Sequence, residues 1–166
     1  MDVLKTVCDI LKVGMGLEND QIWIYNQKVD IPNDKRLYVV CSLEDENAYG
    51  VNLNHENDID ILHETTEINV RSLISIDIFS YGTKALEERF NVIGAMRSTY
   101  SLIKQETINF NISRRPLVFR RNYFDTPTAK LYSFHYEYAI IHIERNIPKE
   151  IPFYDDIEKP NIVVNK

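Results

Sequence analysis

Catalysis and metal binding both need side chains that converge, so the histidines, cysteines and acidic runs of this chain can be sorted by where their spacing sends them. His135 and His142 lie an odd number of residues apart in a stretch of strand character, which sends them to opposite faces and prevents a shared metal ion. His63-Glu64-Thr65-Thr66-Glu67 opens like the zinc-protease HExxH pattern, but it ends in Glu, and no helix is expected there to bring two ligands onto one side. Asn54, Glu56, Asp58 and Asp60 alternate oxygen donors as a calcium loop does. The central Gly and the trailing bidentate Glu are missing, so a solvated acidic segment is the first reading and a weak divalent-ion site the alternative. Gly14-x-Gly16 follows a helical pattern instead of a strand and lacks a third glycine, which separates it from a phosphate loop. Cys8 and Cys41 have no CxxC spacing and are expected as two reduced, buried thiols. There is no GxSxG elbow, no Walker loop, and no Cys or Ser with a paired His. No catalytic residue, metal ligand or cofactor is assigned, and the chain reads as a building block, not an enzyme.

The elements that would carry these side chains follow from apolar periodicity. Val3, Leu4, Val7, Cys8, Ile10 and Leu11 recur at helical spacing, and Gly14 and Gly16 offer positive-φ positions at which that helix stops. Ile22 to Tyr25 form a short strand, followed by a turn at Asp30, Pro32, Asn33 and Asp34. Arg36 to Glu44 is β-branched enough for a buried strand, and the polar stretch Asp45 to Asp60 interrupts the sheet as a long hairpin or flap. Ile68, Val70, Ile74, Ile76 and Ile78 then point one way while Glu67, Asn69, Arg71, Ser75 and Asp77 point the other. Ser72 breaks the apolar row and marks a bulge or strand edge nearby. Thr83 caps a second helix running to about Ile103, with a buried stripe of Leu86, Phe90, Ile93, Met96, Tyr100 and Ile103. Within it Gly94 either weakens the helix or admits another backbone. Leu117 to Phe119 begin a strand, Asp125-Thr126-Pro127 turns the chain, and in the last strand Tyr132, Phe134, Tyr136, Tyr138 and Ile140 share a face. The expected fold is α+β: a mainly antiparallel sheet of about five strands packed against two helices, with a long flap.

Residues 1–146 form one domain in this reading. From 147 to 166 the chain becomes an extended C-terminal arm, because Pro148, Pro152 and Pro160 break regular structure. Phe153, Tyr154, Ile157, Ile162 and Val163 make that arm apolar enough to dock on a partner, the alternative being a frayed terminus.

The net charge of −6 argues against wrapping nucleic acid, and its distribution says more than its sum. No Lys or Arg occurs from Leu37 through Val70, a stretch that holds Glu44, Asp45, Glu46, Glu56, Asp58 and Asp60. Arg114, Arg115, Arg120 and Arg121 cluster where no acid occurs between Thr107 and Phe124. Both are either solvated faces or complementary surfaces by which one copy meets another. Charges interrupt every apolar run from Met1 to Val13, so no signal peptide or membrane span is expected there, and the sequon at Asn111 carries no meaning.

The ordered segments resemble the neck or tail terminator proteins of tailed bacteriophages. The resemblance rests on Gly16-Leu17 after the first helix, Tyr25-Asn26-Gln27, and the strand Leu37-Tyr38-Val39-Val40. It also rests on Ser75-Ile76-Asp77-Ile78-Phe79-Ser80-Tyr81-Gly82 before a helix, on Arg115-Pro116-Leu117-Val118, and on Tyr132-Ser133-Phe134-His135-Tyr136. It spans roughly Val3 to Arg145; the arm has no counterpart, and Leu37 stands where the family often has Pro. It implies a structural virion protein at the neck, folded in the host cytoplasm. A ring of typically six copies would cap the tail tube, end its polymerisation and meet a head-completion or stopper protein, with the sheath as a further partner. Genomic DNA would pass through the lumen without sequence-specific binding, and some of the acidic residues would face that channel or the next ring. The alternatives are another head-completion or baseplate component, or a small cytosolic enzyme or ligand-binding domain with a pocket under the flap.

Overall fold

A computed structural model of the chain describes residues 2–25, 34–58, 61–126, 129–145 and 149–151. Helix α1 (Val3–Met15) opens on Asp2, whose carboxylate accepts the Lys5 amide at 3.1 Å. It buries Val3, Val7, Ile10 and Leu11, and Gly16 ends it at φ 65, with the Gly16 N–H donating to the Lys12 carbonyl. Of the two glycines expected to stop this helix, only Gly16 does so. Gly14 remains helical, and a Cβ there would lie 2.5 Å from the Ala95 Cβ, so its lack of a side chain is what lets α1 approach the following helices.

Strands β1 (Ile22–Ile24), β2 (Tyr38–Asp58) and β3 (Ile61–Ser80) come next in the chain. After the helices come β4 (Phe110–Ile112), β5 (Val118–Thr126), β6 (Ala129–Arg145) and β7 (Lys149–Ile151). They form one seven-stranded sheet in the order β1-β2-β3-β6-β4. β5 and β4 follow one another along the outer edge of β6, while β7 pairs β3 at Leu62–Glu64. Only the β1–β2 pair is parallel. The registers Cys41↔Ile76↔Tyr136 and Val39↔Ile78↔Phe134 stack apolar side chains across three strands on one face. Val7, Ile10 and Leu11 of α1, with Val92, Ala95 and Met96, cover that face. Each side chain sealed there contributes ~1.5–3 kcal/mol. The two faces of β3 and β6 are those expected from their alternation.

Three expectations change. The single helix from Thr83 is three pieces, α2 (Lys84–Glu88), α3 (Asn91–Met96) and α4 (Thr99–Ile108). Arg97 and Ser98 donate their amides to the Gly94 and Ala95 carbonyls, a tight turn that ends α3, and the Ser98 hydroxyl then caps α4 through the Ser101 amide at 3.1 Å. The break rotates the expected stripe: Met96 is buried, but Phe90 and Ile103 are more than half exposed. No other backbone approaches Gly94, where a Cβ would meet nothing within 4 Å. Of the hairpin and the flap expected from Asp45 to Asp60 the structure shows the hairpin, but it does not interrupt the sheet: through Asp58 the stretch continues β2, laddered to β3 as far as Ile61. The bulge expected near Ser72 lies instead on the partner strand, where the register shifts between Leu43 and Asp45 and again between Ala48 and Gly50. Residues 26–33, which contain most of the expected turn, and the Asp125 turn at 127–128 lie outside the described residues.

Asp9 ties α1 to α4, accepting the Tyr100 hydroxyl at 2.6 Å and Lys104 at 3.1 Å. The Tyr100 hydroxyl first, and then Lys104, hold its carboxyl below its ordinary value of 3.8. Its contribution is therefore present above that value and lost as pH falls through the lower folded one. Asp9→Asn is expected to flatten the acid limb of stability against pH, measured by urea unfolding between pH 2 and 6, and a limb unchanged from wild type would refute the tie. Gly14→Ala is expected to lower stability by ~1–3 kcal/mol, as overpacking does. Gly94→Ala is expected to raise it by up to ~1 kcal/mol through helix propensity. Thermal melts of the two variants should move in opposite directions.

Candidate functional site

The sheet face opposite the helices is polar at its centre. His135 on β6 stands directly across from Asp77 on β3, with its Nδ1 2.9 Å from Asp77 Oδ1 and its Nε2 3.1 Å from Glu137 Oε1. A ring protonated on both nitrogens donates to both carboxylates at once; either neutral tautomer leaves one of them without that donor. Beside them the Ser42 and Ser75 hydroxyls donate to Glu44 Oε1 at 2.5 and 2.6 Å. These two bonds, Ser42's first, hold the Glu44 carboxyl below the usual range. The imidazole is thus committed to carboxylates and the serines to Glu44, so no hydroxyl is poised as a nucleophile in this cluster. His142 is buried on the opposite face, near Glu144, as the odd spacing requires.

Along the same open face toward β1, Trp23, Tyr38 and Phe79 stack with centroids 5.2 to 6.4 Å apart. The Tyr38 hydroxyl donates to Asp34, which also holds Arg36 at 2.9 Å. In the other direction, Asp45, Asn47, Tyr49, Arg71 and Leu73 line a groove of about 510 Å³. Among the described residues no three His, Cys, Asp or Glu side chains gather as a metal site, and no helix is long and apolar enough to cross a membrane. Cys8 and Cys41 are free thiols; Cys41 is fully buried, whereas Cys8 is half-buried, less enclosed than expected.

The charged residues singled out by sequence separate onto opposite edges of the sheet. Glu44, Asp45 and Glu46 lie on β2, whose outer edge carries β1 only at Val39–Cys41. The bulge splits them between faces. Glu44 and Asp45 join the open face, while Glu46 turns to the helix side and accepts the Ser72 hydroxyl at 2.9 Å, so the three do not form one acidic wall. Arg114 and Arg115 are exposed in the connection between β4 and β5. Arg120 and Arg121 lie on β5 itself, facing opposite sides; Arg121 sits over the Tyr132 ring with 5.1 Å to its centroid. Glu56 and Asp58 have their backbone in β2, but their side chains, Asp60, and the arm residues Phe153, Tyr154, Ile157, Ile162 and Val163 lie outside the described residues. Only Lys149–Ile151 of the arm is described, as a strand added to β3.

Sequence reasoning missed the Asp77–His135–Glu137 cluster and the aromatic stack. Alternation already put Asp77, His135 and Glu137 on the mixed faces of their strands, but only the register brings them together. Compared with known proteins, the chain matches no protein-family model and no curated sequence.

His135→Ala leaves Asp77 and Glu137 without a shared donor, and is expected to cost ~1–3 kcal/mol in denaturant unfolding. A variant as stable as wild type would show that the cluster does not hold β3 to β6.

Proposed function

We propose that this chain is a structural subunit of a tailed-phage virion, acting at the neck as a tail terminator. A ring of copies caps the tail tube, ends its polymerisation and joins it to a head-completion protein. One observation carries the reading: the β2–β3 ribbon outlasts the core. The last buried core positions on these strands are Cys41 and Val70, yet pairing continues to Asp58↔Ile61. From Val70 to Ile61, at ~3.3 Å per residue, that is ~30 Å of ladder past the last buried position among the described residues. Past the end of β6 at Glu67 only the short β7 borders β3 on the side away from β2 among the described strands, and so narrow a ribbon is marginal in water on its own. This one exposes Leu43, Tyr49 and Val51, which supports a surface completed by other subunits.

The charge of the ribbon agrees with a subunit that lets DNA pass instead of holding it. The stretch from Leu37 through Val70 holds acids and no Lys or Arg, and carboxylates facing a channel repel phosphate, whereas a basic lining would retain it. The groove at Asp45, Asn47, Tyr49, Arg71 and Leu73 favours a second reading, a ligand-binding domain, which would act as a monomer.

The reading is tested by mixing the purified chain with tail-tube protein and measuring mass and shape by native mass spectrometry and electron microscopy, with labelled antibody applied to whole virions. Closed rings on tube ends and label at the neck are expected. A monomer that ignores the tube but binds or turns over a small compound would replace this reading with the second, and label at the baseplate would move the protein to the other end of the tail.

A further inference from the structure

The two edges of the sheet are complementary in charge, height and strand direction. β2 has one partner along most of its length. Its outer edge pairs β1 through the Val39 amide to the Gln21 carbonyl and the Tyr25 amide to the Cys41 carbonyl, both at 2.8 Å, and past Cys41 no described strand covers it. The opposite edge is β4 followed by β5, each paired only with β6 among the described strands. Both edges therefore present unpaired backbone amides and carbonyls, the groups that an added strand takes up.

The registers give the height of each charge. Asp45 pairs Leu73, Leu73 pairs Ala139, and the Ala139 carbonyl accepts the Ser113 amide at 2.9 Å. Asp45 on one edge is thus level with Ser113 on the other, next to Arg114 and Arg115. Ser42 runs through Ser75 to Glu137, whose carbonyl accepts the Leu117 amide at 2.7 Å, so the half-exposed Leu43 and Leu117 also lie at nearly the same level. Among the described residues Asp45, Glu46, Arg114 and Arg115 make no ion pair within the chain. Direction agrees as well. β2, β3, β6 and the β4–β5 line alternate in sense, so one copy's β4–β5 edge placed against the next copy's β2 is antiparallel and continues the alternation.

We propose that copies of this chain join head to tail, edge to edge. The β2 edge around Leu43–Asn47 of one copy lies against the β4–β5 edge around Asn111–Leu117 of the next, with Asp45 and Glu46 meeting Arg114 and Arg115. The same joint repeated by rotation closes a ring without an unpaired end. This rests on the ring reading above and assigns its interface.

Two measurements test it. Asp45→Lys with Glu46→Lys makes both edges basic, and Arg114→Glu with Arg115→Glu makes both acidic. Each double variant, shown to be folded by circular dichroism, is expected to assemble at least about tenfold more weakly than wild type, and an equal mixture of the two to recover assembly as alternating rings. In wild type, amide exchange at residues 42–48 and 111–122 is expected to slow at least about tenfold between monomer and ring. Assembly unaffected by either reversal, a mixture that is not rescued, or edge amides that exchange as fast in the ring as in the monomer would overturn the edge joint while leaving the ring intact. A wild-type chain that stays monomeric with tube protein would instead remove the ring reading on which the joint depends.

Discussion

Strand β3 pairs on both sides, and its register governs every other placement in the molecule. It ladders to β2 along nearly its whole length and to β6 from Glu67 to Ser80, so Ile74, Ile76 and Ile78 can face the helices only if two registers hold together. A slip of one residue would send those isoleucines to the open face and Ser75 and Asp77 into the apolar layer. That penalty fixes the register where the core lies. Beyond Val70 no described side chain of β3 is fully buried, and the ribbon inherits its register from the core.

The same contrast explains what was legible from sequence. Alternation in β3 and β6 was plain because one face is buried, and helix α1 was plain because Val3, Val7, Ile10 and Leu11 repeat on one stripe. Asp45 to Asp58 carries too many polar residues to mark a buried face, so it read as a hairpin or flap that interrupts the sheet instead of as the continuation of β2. The break at Ser98 was encoded as a cap, with the Ser101 amide three residues on, but the apolar residues around it kept a helical spacing that concealed it. Gly14 drew notice only as a stop signal. Its role depends on Ala95, far away in sequence, and no local pattern could reveal it.

Of the candidate surface residues, sequence supplied the charges but not their arrangement. Asp45 and Arg114 are separated by the whole of β3 and the helices, and they are level only because the ladder passes through Leu73 and Ala139. The bulge at Glu44 adds a second effect invisible in the sequence. It inserts one residue, so Glu44 turns to the Ser42 and Ser75 hydroxyls while Glu46 reaches Ser72 on the other face. Three adjacent carboxylates are thereby spread over two faces, which reduces their mutual repulsion and leaves each with a different donor.

An open sheet edge is a hazard unless something restricts what can pair with it. On β2 the restriction is charge: two β2 edges brought together would oppose carboxylates with carboxylates, and two β4–β5 edges would oppose arginines with arginines, each disfavoured as like charges across a ladder. Twofold joints of either edge with itself are therefore selected against, and the unlike pairing is left. A joint between unlike edges cannot satisfy itself in a dimer, since it always leaves one edge of each kind open. In the proposed joint the charge separation would thus act against small symmetric oligomers before it favoured a ring, since the finite assembly that leaves neither edge open is a closed one.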